Sequence, residues 1–450
     1  MIVVGLAISL LMVSRSQVGG DQLHMLSRGW LLAAQGTWIH YGMPTSAGGK
    51  SPGSATSLLV GAPLMVWRDY RAPILLLWLS HLLGYLLLDW VVARATSPRG
   101  RLLFALFYWL NPWRVFFSAH LWNANYMFLA GAIHAWTCFG QRRRASFWLS
   151  FLHVLTIGIA AQLHSSAPVL LFASALLLWR GYLKIKWAGA VAGAVAVGAS
   201  LLPWALTVLR HPELLPGGIG FPFRGLVLLF PLLRGLVYWL RYPVLFFTKR
   251  MTEFDFTATL GVLGDRLLAT PLWALLVAIG PLTLAFPFLA NRRMWLADRR
   301  WLLRKAEGAW SARRWLHGYV VGCFAAAVVS FAASPTTVMA WQGFIVLHVA
   351  VLPLVLWLET LLRSRARVWA ARGVQAYAIA VSLLLVAMAV ATPLYRKGGR
   401  DDVRATVAAP HAMFDELAIT RHCTLVIDPA VTWWPDALPP PAATPSPATR

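Results

Sequence analysis

"PILLLWLSHLLGYLLLDWVVARATSPRGR", residues 73–101, joins two patterns that recur down the chain. An apolar run that reaches Asp89 only near its end passes directly into a block carrying Arg94, Arg99 and Arg101. About twenty apolar residues is the length that crosses a bilayer core as a helix. In lipid the backbone must satisfy its own hydrogen bonds, which leaves helices or closed barrels, and these runs are too long and continuous for barrel strands. The 450-residue chain is 59% hydrophobic and 12% charged, against roughly 25% charged in a soluble domain. The reading is an all-α polytopic membrane protein of about 11 transmembrane helices.

The expected spans are 1–14, 73–93, 102–118, 124–140, 147–163, 167–182, 187–208, 270–290, 317–334, 341–361 and 374–394. Residues 1–13 lack a basic leader and "VSRSQ" is a poor cleavage site, so they are expected to remain as a span. Basic blocks follow alternate spans, at 94–101, 141–146, 179–186, 291–315 and 363–372. They read as cytoplasmic. The net charge of +24 is therefore topological, with anionic membrane lipid as its partner and no nucleic acid. The outer face then receives a long first loop (15–72), a second long loop (209–269), short turns such as "HLWNA" and "QLHSSA", and a tail (396–450). The tail's Pro/Ala-rich end reads as disordered. Residues 1–395 form one membrane domain. Within the second loop, 226–247 is hydrophobic enough to cross, but a single crossing would put the most basic loop outside. An interfacial or re-entrant element carrying Arg234 and Arg241 is expected instead.

The polar residues of interest collect on the outer side. "DQLHMLSRGWLLAAQGTW" places Leu23, Leu26, Trp30 and Leu31 near one helical face, with Asp21 at its N-cap or first turn. Capping alone accounts for an Asp there, at about 1 kcal/mol. A functional carboxylate is the other reading, and the two are compatible. Gln22, Lys50, Asn123 and Gln162 are further loop candidates. Arg114 lies inside an apolar run near its outer end, where Arg is costly unless it snorkels or functions. His120, His164 and His348 sit at or near outer ends of spans. No CxxC and no HExxH is present. The cysteines, Cys138, Cys323 and Cys423, show no metal spacing. Glu253 and Asp255, two residues apart, are a weak signal for a cation. No metal site and no cofactor are expected.

A short first span followed by "GDQ", a juxtamembrane helix and a "G…YG" stretch resembles the GT-C glycosyltransferases, in particular their protein-mannosyltransferase-like branch. "LNPWRVFFSAHLWNANYMFLAGAIHAW", "IGIAAQLHSSAPVLL" and "VLHVAVLPLVL" resemble their middle and late spans. The resemblance covers about residues 1–360. It implies a GT-C-like helical bundle in the inner (cytoplasmic) membrane, with the active site on the periplasmic side. It also implies a polyprenyl-phosphate sugar (undecaprenyl phosphate in bacteria) as donor. Asp21 matches the family's proposed catalytic base. Many members carry Asp-Glu there, and this chain carries Asp-Gln, which argues against a metal-dependent mechanism.

The chemistry implied is a single inverting displacement. One carboxylate takes the proton of an acceptor hydroxyl, and cations stabilise the departing lipid phosphate. Candidates for the phosphate are Arg114, His120, His164, Arg224, Arg241, Lys249 and His348, Arg being suited to bidentate contact. Lipid, polysaccharide and protein hydroxyls all remain open as acceptors. Two rival readings share the outer cavity: a transporter or flippase of lipid-linked sugars, and a ligase using a pyrophosphate-linked glycan.

Overall fold

The computed structural model describes residues 1–14, 21–44, 50–69, 71–212, 229–298, 311–334 and 337–391. Arg224 and the tail at 396–450 lie outside these residues. The helices in chain order begin with α1 (Ile2–Ser14), α2 (Asp21–Gln35), α3 (Ala55–Val66), α4 (Arg71–Ala95), α5 (Pro98–Phe104) and α6 (Pro112–Ser118). Then come α7 (Met127–Gly140), α8 (Phe147–Leu163), α9 (Pro168–Trp179), α10 (Trp187–Arg210) and α11 (Leu229–Arg241). The last are α12 (Thr257–Thr283), α13 (Ala285–Asp298), α14 (Ala312–Ala332), α15 (Leu347–Leu361) and α16 (Arg367–Ala391). The protein is an all-α polytopic membrane protein. Six stretches among the described residues are long and apolar enough to cross a membrane, and Ile2–Val13, Ala55–Val66, Phe147–Leu163 and Pro168–Trp179 are shorter apolar helices. Large apolar side chains stay exposed along α10 and α12, among them Leu202, Leu206, Leu263 and Leu267, as expected of surfaces that face lipid tails.

The charge alternation seen in the sequence is spatial. Glu359, fully buried near the end of α15, accepts from Ser97 N at 3.0 Å and from Ser97 Oγ at 2.5 Å. Its carboxylate also pairs with Arg313 at 2.7 Å and Arg363 at 2.8 Å. Lys184 N donates to Gln141 O at 3.2 Å, and Trp315 Nε1 donates to Tyr182 O at 3.0 Å. The basic connections after α4, α7, α9 and α15 therefore meet at one end of the bundle. Each isolated surface ion pair contributes little. A buried carboxylate gathering two arginines and a backbone N–H is costly to break.

The expected 102–118 span is not one helix. A π-helical turn, Ala105–Trp109, follows α5, and the chain restarts at Pro112. The cause is local. Pro112 stands at the first helical turn, where its missing N–H costs nothing. Asn111 caps the new helix by accepting from Trp113 N at 3.0 Å, and its amide donates to Phe107 O and Tyr242 O, both at 2.8 Å. The break lets α6 lie inside the core, where all seven of its residues are buried.

The second loop contains the re-entrant element. The 13 residues of α11 span about 20 Å, short of a ~30 Å core. It starts near the end opposite the basic connections, with Gly235 against Phe331 one residue from the end of α14. It descends until Trp239 meets Phe324, ring centroids 4.9 Å apart. The chain then turns and climbs back, and Asp255 N donates to Ala391 O, the last residue of α16, at 2.6 Å. Non-helical backbone at this depth must find partners in protein. Arg241 supplies them, donating to Phe246 O at 3.0 Å and to Phe247 O. Asn111 takes Tyr242 O, Tyr377 Oη donates to Pro243 O at 3.3 Å, and Tyr242 Oη donates to Ala340 O.

Candidate functional site

The first loop folds as a unit at the end opposite the basic connections. In α2, Leu26, Trp30 and Leu31 of the apolar face read from the sequence are buried, as is Met25. It crosses α3 where both carry glycine: a Cβ on Gly61 would lie 3.1 Å from Gly29 O. Between the two helices the chain forms a short extended pairing, Gly42 N to Ser51 O at 2.7 Å and Ser51 N to Met43 O at 2.9 Å. Arg28, fully buried, reaches across from α2 and donates to Tyr41 O at 2.5 Å and Gly42 O at 2.7 Å. This arginine was not singled out from the sequence. Its signal was a cation on the buried face of an amphipathic helix.

Three contacts seat this loop on the spans below. Gln22 Nε2 lies 2.7 Å from His120 Nε2. An amide N–H can only donate, so His120 Nε2 accepts. Gly53, in the left-handed region at φ +76°, sits on Gln162, whose amide a Cβ would strike. His40 Nδ1 lies 3.2 Å from Thr207 Oγ1 of α10. The turns beneath are knit together. Asn125 Nδ2 donates to His120 O, and Asn123 Nδ2 to Leu163 O, each at 2.5 Å. Gln162 Nε2 donates to Ser200 Oγ at 2.7 Å. His164 pairs with Ser166, Nδ1 to Oγ 2.9 Å. Trp122 packs edge-on against Trp341 at 5.0 Å.

Asp21 opens α2 with its side chain exposed, one residue before the Gln22–His120 contact. A carboxylate there also faces the positive end of the helix dipole. Lys50 is buried in the folded loop, and burial together with the Arg28 charge pulls its ammonium down to about 7. An anion beside it would restore its proton.

The remaining sequence candidates go elsewhere. Arg114 is fully buried: its Nε donates to Trp109 O at 2.8 Å, an Nη reaches Ser9 Oγ at 3.3 Å, and the guanidinium stacks on the Trp109 ring at 3.9 Å. It ties α1 to the break at Asn111. Arg241 is committed to the carbonyls of the re-entrant turn. Lys249 is exposed and only loosely paired with Glu253, at 3.8 Å. His348 is buried with Nε2 3.4 Å from Tyr319 Oη, which links it to a second polar cluster around His134, Cys138 and His153. That cluster also escaped the sequence reading, although His134 and Cys138 stand four residues apart on one helix.

No protein-family model matches the chain, and no curated protein sequence matches it. Among solved structures, ArnT from Cupriavidus metallidurans bound to undecaprenyl phosphate superposes with a TM-score of 0.52 at 14% identity. The match covers 93% of this chain and 78% of that one. The chain shares the fold of this ArnT structure. Apo ArnT of the same organism aligns with a TM-score of 0.46 at 18% identity, over 94% of this chain and 76% of that one. The helical bundle expected from "GDQ" and the later span motifs is present as an ArnT-like fold, while the protein-mannosyltransferase branch receives no support.

Proposed function

We propose that this protein is a membrane glycosyltransferase that moves a sugar from a polyprenyl-phosphate donor to an acceptor hydroxyl. The observation that carries the proposal is the assembled outer end of a GT-C fold. An exposed Asp21 at the head of α2 adjoins the Gln22–His120 contact, within a loop that also buries Lys50 beside Arg28. ArnT, which shares the fold, was crystallised with undecaprenyl phosphate, and this supports a polyprenyl-phosphate-linked donor here. The outer end is assigned to the periplasmic side of the inner membrane because the basic connections share the opposite end.

Each residue then has a task. Asp21 accepts the acceptor's hydroxyl proton as that oxygen attacks the anomeric carbon from the face opposite the phosphate. The C–O bond to phosphate breaks, and the lipid phosphate leaves with the electron pair. Lys50, protonated once the anionic donor is bound, stabilises that developing charge. Arg28 holds the loop that carries it. The apolar walls accept the prenyl chain, and holding both substrates lowers the barrier by orientation. Among the described residues the acidic side chains within candidate spans are Asp89, Asp265 and Glu359, and Asp265 accepts from Phe256 N at 2.9 Å. Asp89 and Glu359 are both tied to arginines at the basic end, which favours the enzyme over a flippase.

The test is transfer from polyprenyl-phosphate sugars in membranes containing wild type or Asp21→Asn. The variant should retain donor binding and lose about 10²–10⁴-fold in turnover, the range for a general base. Full transfer by Asp21→Asn would remove the assigned base. Failure of wild type to consume any such donor would remove the reading.

A further inference from the structure

The second polar cluster lies inside the bundle. α7 stacks His134 and Cys138 on one face, α8 brings His153, α9 brings Ser174, and α14 brings Tyr319. His134, Cys138 and His153 are buried, and their ligand atoms lie within 4.8 Å of one another. Ser174 settles the proton positions. Its hydroxyl donates to Leu170 O at 2.7 Å, so its oxygen can only accept from the rings. His134 Nε2 approaches it at 3.0 Å and His153 Nε2 at 2.9 Å. Both Nε2 atoms therefore carry N–H, and both Nδ1 atoms present lone pairs; that of His134 accepts from Tyr319 Oη at 3.0 Å, a bond that a metal ion would replace. Those Nδ1 atoms lie 4.0 Å and 3.9 Å from Cys138 Sγ. Thr137 Oγ1 lies 2.9 Å from His153 Nδ1, but its single proton is also claimed by Ile133 O at 2.9 Å and His134 O at 3.0 Å.

We propose that His134 Nδ1, His153 Nδ1 and Cys138 Sγ bind a copper(I) ion, against the expectation of no metal drawn from the sequence. Bond lengths of about 2.0 Å to nitrogen and 2.3 Å to sulfur put trigonal ligand atoms about 3.5–3.7 Å apart, so the three ligand atoms, within 4.8 Å of one another, must draw together to close the site. Ser174 fixes the far ring nitrogens, as the outer partners of metal-bound histidines do. A thiolate with imidazoles suits Cu⁺. Charge chooses the ion: Cu⁺ with one thiolate and two neutral imidazoles is neutral overall, whereas Zn²⁺ would leave a net positive charge in an apolar interior. Binding releases the Cys138 thiol proton. Cys138 stands two residues from the end of α7, about 3 Å along the axis, at the end shared by the basic loops. The ion enters from there. Occupancy fastens α7 to α8 independently of catalysis at the outer end.

The experiment uses the full chain, purified anaerobically in detergent after exposure to excess Cu⁺ and washing. Metal content and copper X-ray absorption are then measured. One copper per chain with sulfur and nitrogen scatterers is expected. Cys138→Ser should lose copper by about tenfold or more, while Cys423→Ser keeps it. Wild type without tightly held copper, or Cys138→Ser with undiminished copper, overturns the site. Zinc in place of copper overturns the choice of ion. If Cys138→Ser fails to fold, the presence or absence of sulfur scattering in wild type decides.

Discussion

Lys50 is where the electrostatics of single residues become measurable. Its free pKa of about 7 means that donor binding takes up a proton, because the phosphate anion raises the value. A sugar-linked lipid phosphate is a diester and keeps one negative charge across this range. Donor affinity should therefore be flat below about pH 7 and fall above it, by about tenfold per pH unit at the steepest. Apo stability runs the other way. The unfolded lysine binds more protons than the folded one between about 7 and its ordinary value, so the apo fold gains stability as pH rises there. Donor KM measured against pH checks the first effect. Lys50→Arg should bind with a flat profile and Lys50→Met should bind weakly throughout. A wild-type slope in Lys50→Met would clear this residue of the role.

At the scale of elements, the re-entrant α11 is held by side chains that replace missing backbone partners. Arg241→Met strands the Phe246 and Phe247 carbonyls, each costing about 1–3 kcal/mol when buried and unpaired. Thermal unfolding in detergent should show the loss, and Arg241→Lys should recover only part of it. Unchanged melting of Arg241→Met would mean that water already serves those carbonyls. Hydropathy and charge vary along one dimension, so the spans, the dip at 226–247 and the apolar face of α2 were legible in the sequence. Asn111-Pro112 inside an apolar run also carried the break, since a cap followed by proline starts a helix. The destinations of Arg114 and Arg241 were not legible. Arg114 finds Trp109 O and Ser9, while Arg241 finds carbonyls a few residues on, and both depend on how the chain doubles back. The His134–Cys138–His153 cluster needed three-dimensional convergence, and the i,i+4 pair was its one linear trace.

For the whole molecule, sidedness is the decisive property. The first-loop candidates Asp21, Gln22 and Lys50 occupy one end and the basic connections the other, so one labelling experiment orients the fold. In a Cys423→Ser background, where Cys138 and Cys323 are buried, an impermeant maleimide should label Ala34→Cys in intact spheroplasts. Ser364→Cys should label only after permeabilisation. The reverse pattern would move the site to the cytoplasmic side. The re-entrant segment also sets an order on biogenesis. Its partners Phe331, Ala340 and Tyr377 are all synthesised after it. When residues 229–256 leave the ribosome, only Asn111 and the segment's own Arg241 are there to serve its turn, and 13 helical residues cannot anchor themselves across the bilayer. The segment must wait at the membrane surface until α14 and α16 have inserted. The packing around α11 is therefore completed last, by its C-terminal partners.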